Sequence, residues 1–300
     1  MTTEIPEGRY RQVMLRQDAQ TMNSPDLRGK LRDRVMTETM TEPSLFAFDF
    51  DGVLCDGVLE YFQVAWRTYS QIAPQMGIQE TLDPLQPPSE LFAPFAQGRA
   101  VIETGWEMPL LIHVLRQGRS LADIFDRWSE ILAELKAATQ MPAPSELAHR
   151  LDQVRDNWIA ADLTDWLALH RFYPGVIECL QQLRQQGHTL AIVSTKEGRF
   201  IQQLLAQSQM AFPAEQIFGK EVKRSKKETL KTLMADYPQC QIFHFLEDRL
   251  AALAAVKGDP ALQSVNLYLA GWGYNTERDR ESARQDDRIQ LLETIAELPV

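Results

Sequence analysis

Residues 45–52 read Leu-Phe-Ala-Phe-Asp-Phe-Asp-Gly, an apolar run that ends abruptly in two aspartates separated by one residue. The same arrangement recurs at 190–196, where Leu-Ala-Ile-Val precedes Ser-Thr-Lys, and at 242–248, where Ile-Phe-His-Phe-Leu precedes Glu-Asp. Short apolar runs without clean alternation fit strands that are buried on both faces, as in a parallel sheet covered by helices. Because ligands bind beyond the carboxyl ends of such strands, the polar residues after the three runs are expected to meet in one crevice.

Helical periodicity fills the chain between the later runs. Apolar residues recur at helical spacing in four stretches, at 176–186, 199–207, 227–234 and 250–257. Predicted strands that alternate with predicted helices are typical of α/β proteins. We therefore predict a doubly wound, Rossmann-like parallel sheet as the core of the fold.

Residues 58–170 interrupt this alternation with helical periodicity alone. Apolar positions 59, 62, 66, 69 and 72 are spaced by 3, 4, 3 and 3 residues, and a second apolar stripe runs through 121–135. This pattern predicts an all-helical module inserted after the first strand, with the α/β core formed by residues 43–57 and 171–300. Residues 1–42 are polar and poor in periodic apolar positions, which predicts a flexible N-terminal tail.

Composition limits the class of function. The net charge of -10 disfavours nucleic acid as a partner, because such binding depends on neutralising phosphates. The excess of acids lies within residues 43–170. No apolar run reaches the roughly 18 residues that a membrane helix needs, and three unpatterned cysteines suit a reducing compartment. These observations predict a cytoplasmic protein, either a monomer or a homodimer, that does not bind membranes.

Four motifs in order resemble those of the haloacid dehalogenase (HAD) superfamily, whose members are hydrolases that act mostly on phosphate esters. Residues 48–56 are similar to the first motif, 173–196 to the second-motif region of the phosphoglycolate-phosphatase-like branch, 225–230 to the third, which carries a lysine, and 245–248 to the fourth. The segment 271–274, Gly-Trp-Gly-Tyr, is also similar to one that follows the last motif in that branch. The resemblance spans residues 43–295.

The resemblance implies a Mg²⁺-dependent phosphatase of a small phosphorylated metabolite that forms an aspartyl-phosphate on Asp49. A carboxylate nucleophile needs a cation to approach an anionic phosphate ester. Asp51 would protonate the leaving group and then accept a proton from the attacking water. Ser194 and Lys226 would hold oxygens of the transferring group, and Thr195 is assigned to substrate binding. The true dehalogenases of the superfamily lack the second aspartate, so halide displacement is disfavoured.

The predicted Mg²⁺ ligands are oxygens of Asp49, Asp51 and Asp248, with Asp51 binding through its backbone carbonyl. Many relatives carry a further acid four residues after the last of these aspartates. Here Ala252 occupies that position. We assign Glu247 as the metal ligand that replaces the missing acid.

The helical insertion resembles a C1-type cap, a lid that closes over the phosphate site. Within it, Glu103, Trp106 and Glu107 form the segment that we hypothesise faces the substrate; the alternative is an ordinary helix N-terminus. The acidic balance of the cap suggests a leaving group that is neutral or cationic. Lys196 is interpreted as solvent-facing. The five histidines show no metal-ligand spacing and are interpreted as structural or exposed.

Two other functions remain open from the sequence. A phosphomutase of the β-phosphoglucomutase type would share the site but return the phosphoryl group to a sugar. A catalytically weak HAD scaffold could instead serve as a binding or regulatory protein, with the tail as a docking arm.

Overall fold

The first apolar run of the sequence is the central strand of a parallel sheet. The structure is a computed structural model that describes residues 43–137 and 141–299, so the predicted N-terminal tail at 1–42 lies outside the described residues. Its strands are β1 (Ser44–Phe48), β2 (Cys55–Asp56), β3 (Arg171–Phe172), β4 (Thr189–Val193), β5 (Ile217–Phe218), β6 (Ile242–Glu247), β7 (Val265–Ala270) and β8 (Ile289–Leu292). Six of them form one sheet in the order β5-β4-β1-β6-β7-β8, with every neighbouring pair parallel. The predicted doubly wound fold is confirmed.

Helices cover both faces of this sheet and fill the chain between β2 and β3. The inserted helices, as we call the segment between β2 and β3, are α1 (Val58–Ile72), α2 (Phe92–Gly98), α3 (Met108–Arg116), α4 (Leu121–Ala137), α5 (Pro144–Ala161) and α6 (Leu163–Leu167). The later helices are α7 (Val176–Gln185), α8 (Gly198–Gln207), α9 (Lys226–Asp236), α10 (Leu250–Lys257) and α11 (Glu277–Arg284). Short 3-10 helices occur at Ser89–Leu91, Arg99–Val101, Gly105–Glu107, Ala214–Gln216, Lys220–Val222, Pro260–Leu262 and Ile295–Glu297.

Strand β1 is apolar from Leu45 to Phe48 because both of its faces are covered. Phe46 and Phe48 lie in a core with apolar residues of α7 and α8, whereas Leu45 and Ala47 lie in a second core with residues of α9 and α10. Successive side chains of a strand point to opposite faces, so a strand between two helical layers needs apolar residues at every position. This explains why the run at 45–48 shows no alternation.

The inserted helices have an apolar core of their own. Helix α1 packs against α3 and α5, and its buried Phe62, Trp66 and Tyr69 lie in one cluster with residues of α3 and α4. The two-stranded antiparallel pair of β2 with β3 joins the two ends of the segment. None of the described helices is both long enough and apolar enough to cross a membrane.

A buried ion pair connects three of the inserted helices. Glu60 on α1 is fully buried, and its Oε1 accepts hydrogen bonds from Arg155 Nε on α5 (2.8 Å) and from Trp166 Nε1 on α6 (3.0 Å). Burial alone would raise the pKa of Glu60, but the charge and hydrogen bonds of Arg155 lower it to about 2. The carboxylate therefore stays ionised and holds the helices together.

We predict that Glu60→Ala lowers the free energy of unfolding by about 3 kcal/mol, because it leaves Arg155, whose side chain is only 18% exposed, with Asp152 at 3.7 Å as its remaining carboxylate partner and leaves Trp166 Nε1 without its acceptor. Glu146→Ala is the matched control, since Glu146 pairs with Arg150 on the surface of α5 and its side chain is 46% exposed; its expected loss is below about 1 kcal/mol. Urea denaturation of both variants measures the difference. Equal losses would contradict a stabilising role for the buried pair.

Candidate active site

The carboxyl ends of the three central strands bring the polar residues of the predicted motifs together. Asp49 follows β1, Ser194 follows β4, and Asp248 follows β6, while β1 lies between β4 and β6. The backbone N–H of Asp49 donates to Leu246 O at 2.9 Å, so the first and fourth motifs are in direct contact. A cavity of about 330 Å³, which we call the metal-end cavity, is lined there by residues that include Asp49, Asp51, Thr195, Lys226, Glu247 and Asp248.

Three carboxylates meet at the base of the metal-end cavity. Ligand oxygens of Asp49, Glu247 and Asp248 lie within 4.8 Å of one another, and all three residues are buried. Burial is the main cause that raises the pKa of Asp49 to about 6 and that of Glu247 to about 7, and it also raises the pKa of Asp248. A nearby cation counteracts this effect, because it favours the ionised form of a buried carboxyl group.

Lys226 supplies part of that positive charge. Its Nζ lies 2.9 Å from Asp49 Oδ2 and 2.6 Å from Glu247 Oε2. Burial alone would lower the pKa of this lysine, but the two carboxylates raise it, so the ammonium group stays protonated. The lysine that the third motif predicted thus contacts the aspartate that the first motif predicted.

The donor set fits Mg²⁺. Asp49 Oδ1 is buried and has no hydrogen-bond partner within the described part of the chain, although its other oxygen is bound to Lys226. A buried carboxylate oxygen without a partner costs free energy unless a ligand satisfies it. Hard, oxygen-seeking Mg²⁺ is suited to this oxygen together with those of Asp248 and Glu247. Glu247 belongs to the carboxylate cluster, but its Oε2 already accepts from Lys226 and its Oε1 accepts from the Arg249 N–H at 3.0 Å; Ala252 lines the same cavity.

Two glycines make room for Asp248. Gly52 has a φ of +82°, and a Cβ at this position would overlap Asp248 Oδ2; a Cβ on Gly273 would overlap the Asp248 side chain and Gly52 O. The next residue, Tyr274, donates its backbone N–H to Asp248 Oδ2 at 2.8 Å. The Gly-Trp-Gly-Tyr segment, noted in the sequence only for its resemblance, thus positions Asp248.

Lys196 contacts Asp51. Its Nζ is 3.2 Å from Asp51 Oδ1 and 3.3 Å from His170 Nε2, and its side chain is only 9% exposed. Burial and the charge of Lys196 lower the pKa of His170 to about 4, so the neutral imidazole can accept a hydrogen bond from the ammonium group. The interpretation of Lys196 as solvent-facing is wrong, because rings of Tyr61 and Trp166 from the inserted helices cover it. The sequence contained a signal for this position, because Lys196 stands in the Ser-Thr-Lys segment that follows β4, at the sheet edge where the other polar residues meet.

Ser194 and Thr195 differ in their access to the site. Ser194 is buried, and its Oγ accepts a hydrogen bond from the Lys196 N–H at 3.3 Å. Thr195 lines the metal-end cavity and also a second one of about 330 Å³, which we call the roof cavity because the inserted helices form one wall of it. The residues that line both cavities are Asp51, Tyr61, Arg99, Glu103 and Thr195.

The three acidic and aromatic candidates from the inserted helices occupy different environments. Glu103 is exposed and lines both cavities. Glu107 is buried and accepts hydrogen bonds from Thr104 Oγ1 (2.7 Å) and Trp128 Nε1 (2.9 Å), as part of a capping box. Trp106 is partly buried and packs against the core of the inserted helices, with Lys136 Nζ 4.9 Å from its ring centre. Neither Trp106 nor Glu107 lines the two cavities as described, and the alternative of a helix N-terminus accounts for Glu107.

Known proteins resemble this chain in sequence and in fold. A family model of haloacid dehalogenase-like hydrolases matches residues 43–236. A phosphoglycolate phosphatase from Aliivibrio fischeri is 37% identical over 59 residues, which are 20% of this chain and 26% of that protein. The chain thus matches about a quarter of the length of that curated relative.

Solved structures resemble most of the described fold. The structure of a protein from Bacteroides fragilis, provisionally assigned as a haloacid dehalogenase-like hydrolase, has a TM-score of 0.52 at 16% identity and covers 86% of this chain and 100% of its own. A provisionally assigned phosphoglycolate phosphatase from Lactobacillus delbrueckii subsp. bulgaricus has a TM-score of 0.50 at 12% identity and covers 84% and 94%. At such identities the likeness shows a shared fold.

We predict that Gly52→Ala weakens Mg²⁺ binding by about 10- to 100-fold, because the added Cβ displaces Asp248. Gly118→Ala is the matched control: Gly118 has a φ of +78° and open space around it, so this variant carries only the backbone strain of about 1–2 kcal/mol. Calorimetric titration with Mg²⁺ and urea denaturation separate the two effects. Equal Mg²⁺ affinity in both variants would contradict the assigned role of Gly52.

Proposed function

The chain belongs to the haloacid dehalogenase-like hydrolases, and we propose that it is a Mg²⁺-dependent phosphatase that hydrolyses a small phosphorylated metabolite. The observation that carries this proposal is the environment of the two carboxylate oxygens of Asp49. One of its oxygens is bound to the Lys226 ammonium group, and the other is buried without a partner beside two more carboxylates. An aspartate held in this way suits a nucleophile toward an anionic substrate.

In the first step, a carboxylate oxygen of Asp49 attacks phosphorus while the bond from phosphorus to the leaving-group oxygen breaks. Asp51, whose side chain lines both cavities, donates a proton to that oxygen as it departs. Lys226 neutralises negative charge on the nucleophile and the transferring group, with Glu247 fixing its position. The product of this step is an aspartyl-phosphate and an alcohol.

In the second step, water attacks phosphorus and Asp51 takes its proton. The bond between Asp49 and phosphorus breaks, which returns the Asp49 carboxylate and releases inorganic phosphate. The contact of Lys196 with Asp51 keeps the carboxylate oriented toward the cavity. Asp51 is thus first an acid and then a base, and the reaction leaves both aspartates in their starting state.

Asp49, Glu247 and Asp248, with the backbone carbonyl of Asp51, would hold Mg²⁺ in this site. When bound, the ion supplies positive charge that screens the nucleophile from the phosphate oxygens. Ser194 and Thr195 remain the candidates for hydrogen bonds to the phosphoryl group; the lining of both cavities by Thr195 supports its assignment.

The inserted helices are proposed to act as a cap that excludes water and contacts the leaving group. They form one wall of the roof cavity, and Arg249, directly after Asp248, donates to the carbonyl of Ala100 at 2.6 Å. Two surface pairs also connect them to the rest of the chain, Lys220 with Asp152 and Arg199 with Asp156. Such exposed pairs contribute little stability and can break easily, which suits a cap that opens.

We predict that Asp49→Asn lowers kcat/KM for p-nitrophenyl phosphate by at least about 10³-fold, because an amide cannot form the aspartyl-phosphate. Asp56→Asn is the matched control from the same segment. Asp56 Oδ1 accepts hydrogen bonds from Val58 N and Tyr274 Oη, which an amide oxygen can also accept, so this variant keeps most of its turnover. Wild-type turnover by Asp49→Asn would contradict the assignment.

We also predict that removal of divalent cations with EDTA abolishes release of inorganic phosphate and that added Mg²⁺ restores it, since Lys226 alone cannot offset three buried carboxylates. Phosphate release that EDTA leaves unchanged would contradict metal dependence.

Glucose 1-phosphate as substrate separates a phosphatase from the phosphomutase alternative, because only a mutase yields an isomeric sugar phosphate.

A further inference from the structure

Four cationic side chains line the roof cavity, and they differ in whether a carboxylate is paired with them. They are Arg99, Arg155, Lys196 and Lys220. Three have a carboxylate partner, since Arg155 is bound to Glu60, Lys196 to Asp51 and Lys220 to Asp152. Arg99 has no ion pair with any acid in the described ranges 43–137 and 141–299. Among the four cations of the roof cavity, Arg99 is therefore the one that no carboxylate of the described residues neutralises.

The guanidinium of Arg99 is held in place by aromatic rings rather than by acids. Its Cζ lies 4.7 Å from the ring centre of Tyr274 and 5.1 Å from that of Tyr61. Nη1 donates to Ile102 O at 3.1 Å, while Nε is buried with no hydrogen-bond partner among the described residues. A guanidinium has five N–H donors in a planar fork, so most of its hydrogen-bonding capacity is available to a ligand.

The backbone that carries Arg99 is fastened to the metal end of the site. Arg249 Nη1 donates both to the carbonyl of Ala100, the neighbour of Arg99, and to the carbonyl of Tyr274 at 3.0 Å. Arg249 directly follows Asp248, one of the three clustered carboxylates. Arg99 lines both cavities and so lies where the phosphate end and the leaving-group end of a substrate would meet.

We propose that Arg99 binds an oxyanion on the leaving group of the substrate, a carboxylate or a second phosphate, and so determines specificity. The proposal rests on the proposed phosphatase function. A planar, permanently charged fork matches both oxyanions with two hydrogen bonds. The transferring phosphoryl group is assigned to Lys226, which leaves Arg99 for a second anion.

This assignment reverses the expectation of a neutral or cationic leaving group. That expectation counted all acids of the inserted helices, but many of them do not line the roof cavity. Glu60 and Glu107 are buried and hydrogen-bonded, and Asp123, Glu130 and Glu134 form exposed pairs with arginines of the same helices. Among the acids from the inserted helices that line the roof cavity, Asp152 is already paired and Glu103 is exposed to solvent.

The test compares matched substrates in wild type and Arg99→Met. The probes are 3-phosphoglycerate against its carboxamide, and 1,3-propanediol bisphosphate against 3-hydroxypropyl phosphate, so each pair differs only in the second oxyanion. Loss of a charge-assisted hydrogen bond is expected to lower kcat/KM for at least one oxyanion-bearing probe by about 10- to 100-fold, chiefly through KM. The probe pair that responds identifies the oxyanion as carboxylate or phosphate.

In Arg99→Met the neutral partner probes and p-nitrophenyl phosphate lose less kcat/KM than the charged probes do, and Arg99→Lys recovers part of the lost discrimination because it retains the charge but not the fork. Arg119→Met is the matched control, since Arg119 is an arginine of the same segment that pairs with Asp123 and Glu134 away from both cavities. It keeps the wild-type preference between the paired probes.

Two results would overturn the proposal separately from the phosphatase function. If Arg99→Met slows the charged and neutral probes equally while thermal unfolding is unchanged, Arg99 serves the phosphoryl group instead. If wild type hydrolyses p-nitrophenyl phosphate but does not prefer either charged probe over its partner, Arg99 does not select an oxyanion. If wild type hydrolyses no phosphate ester, the proposed function and this inference both fail.

Discussion

Three carboxylates buried at the ends of adjacent parallel strands impose the electrostatic constraint on which the site depends. Asp49, Glu247 and Asp248 have lost most of their hydration, and their raised pKa values express that loss. One ammonium group, that of Lys226, faces them. One positive charge against three negative ones leaves a deficit that a bound divalent cation can fill, and the free oxygen of Asp49 is available to it.

The surrounding elements position these charges and limit their contact with water. Gly52 and Gly273 allow the backbone to approach Asp248, and Tyr274 binds that carboxylate through its N–H. The side chain of Tyr274 then reaches toward the inserted helices, where its ring lies under Arg99 and its Oη contacts Gly57 and Asp56. One segment after β7 therefore links the carboxylate cluster to the wall that would meet a leaving group.

The parts of the fold that depend on local pattern could be predicted from the sequence. The predicted helix at 176–186 is observed as Val176–Gln185, and that at 250–257 as Leu250–Lys257, because apolar periodicity directly reflects which face of a helix is buried. The contact of Lys226 with Asp49 agrees with the expectation drawn from the resemblance of residues 225–230 to the third HAD motif. The environments of Lys196 and Arg99 could not be predicted, because each is covered by aromatic rings from distant parts of the chain. The net charge of the insert likewise gave no information on which acids face the cavity.

By itself the sequence determined the parallel sheet and the place of the helical insertion, since apolar runs set the strands and helical periodicity fills the chain between β2 and β3. The resemblance to the HAD motifs indicated the candidate carboxylates and the candidate lysine. Only the tertiary structure decided which charges are already paired. Glu107 accepts a hydrogen bond from Trp128 within the inserted helices, and Lys196 forms an ion pair with Asp51. Arg99 forms no ion pair with an acid among the described residues. The physical reason is that pairing depends on distances of a few ångströms between residues far apart in the chain, and composition contains no such distances.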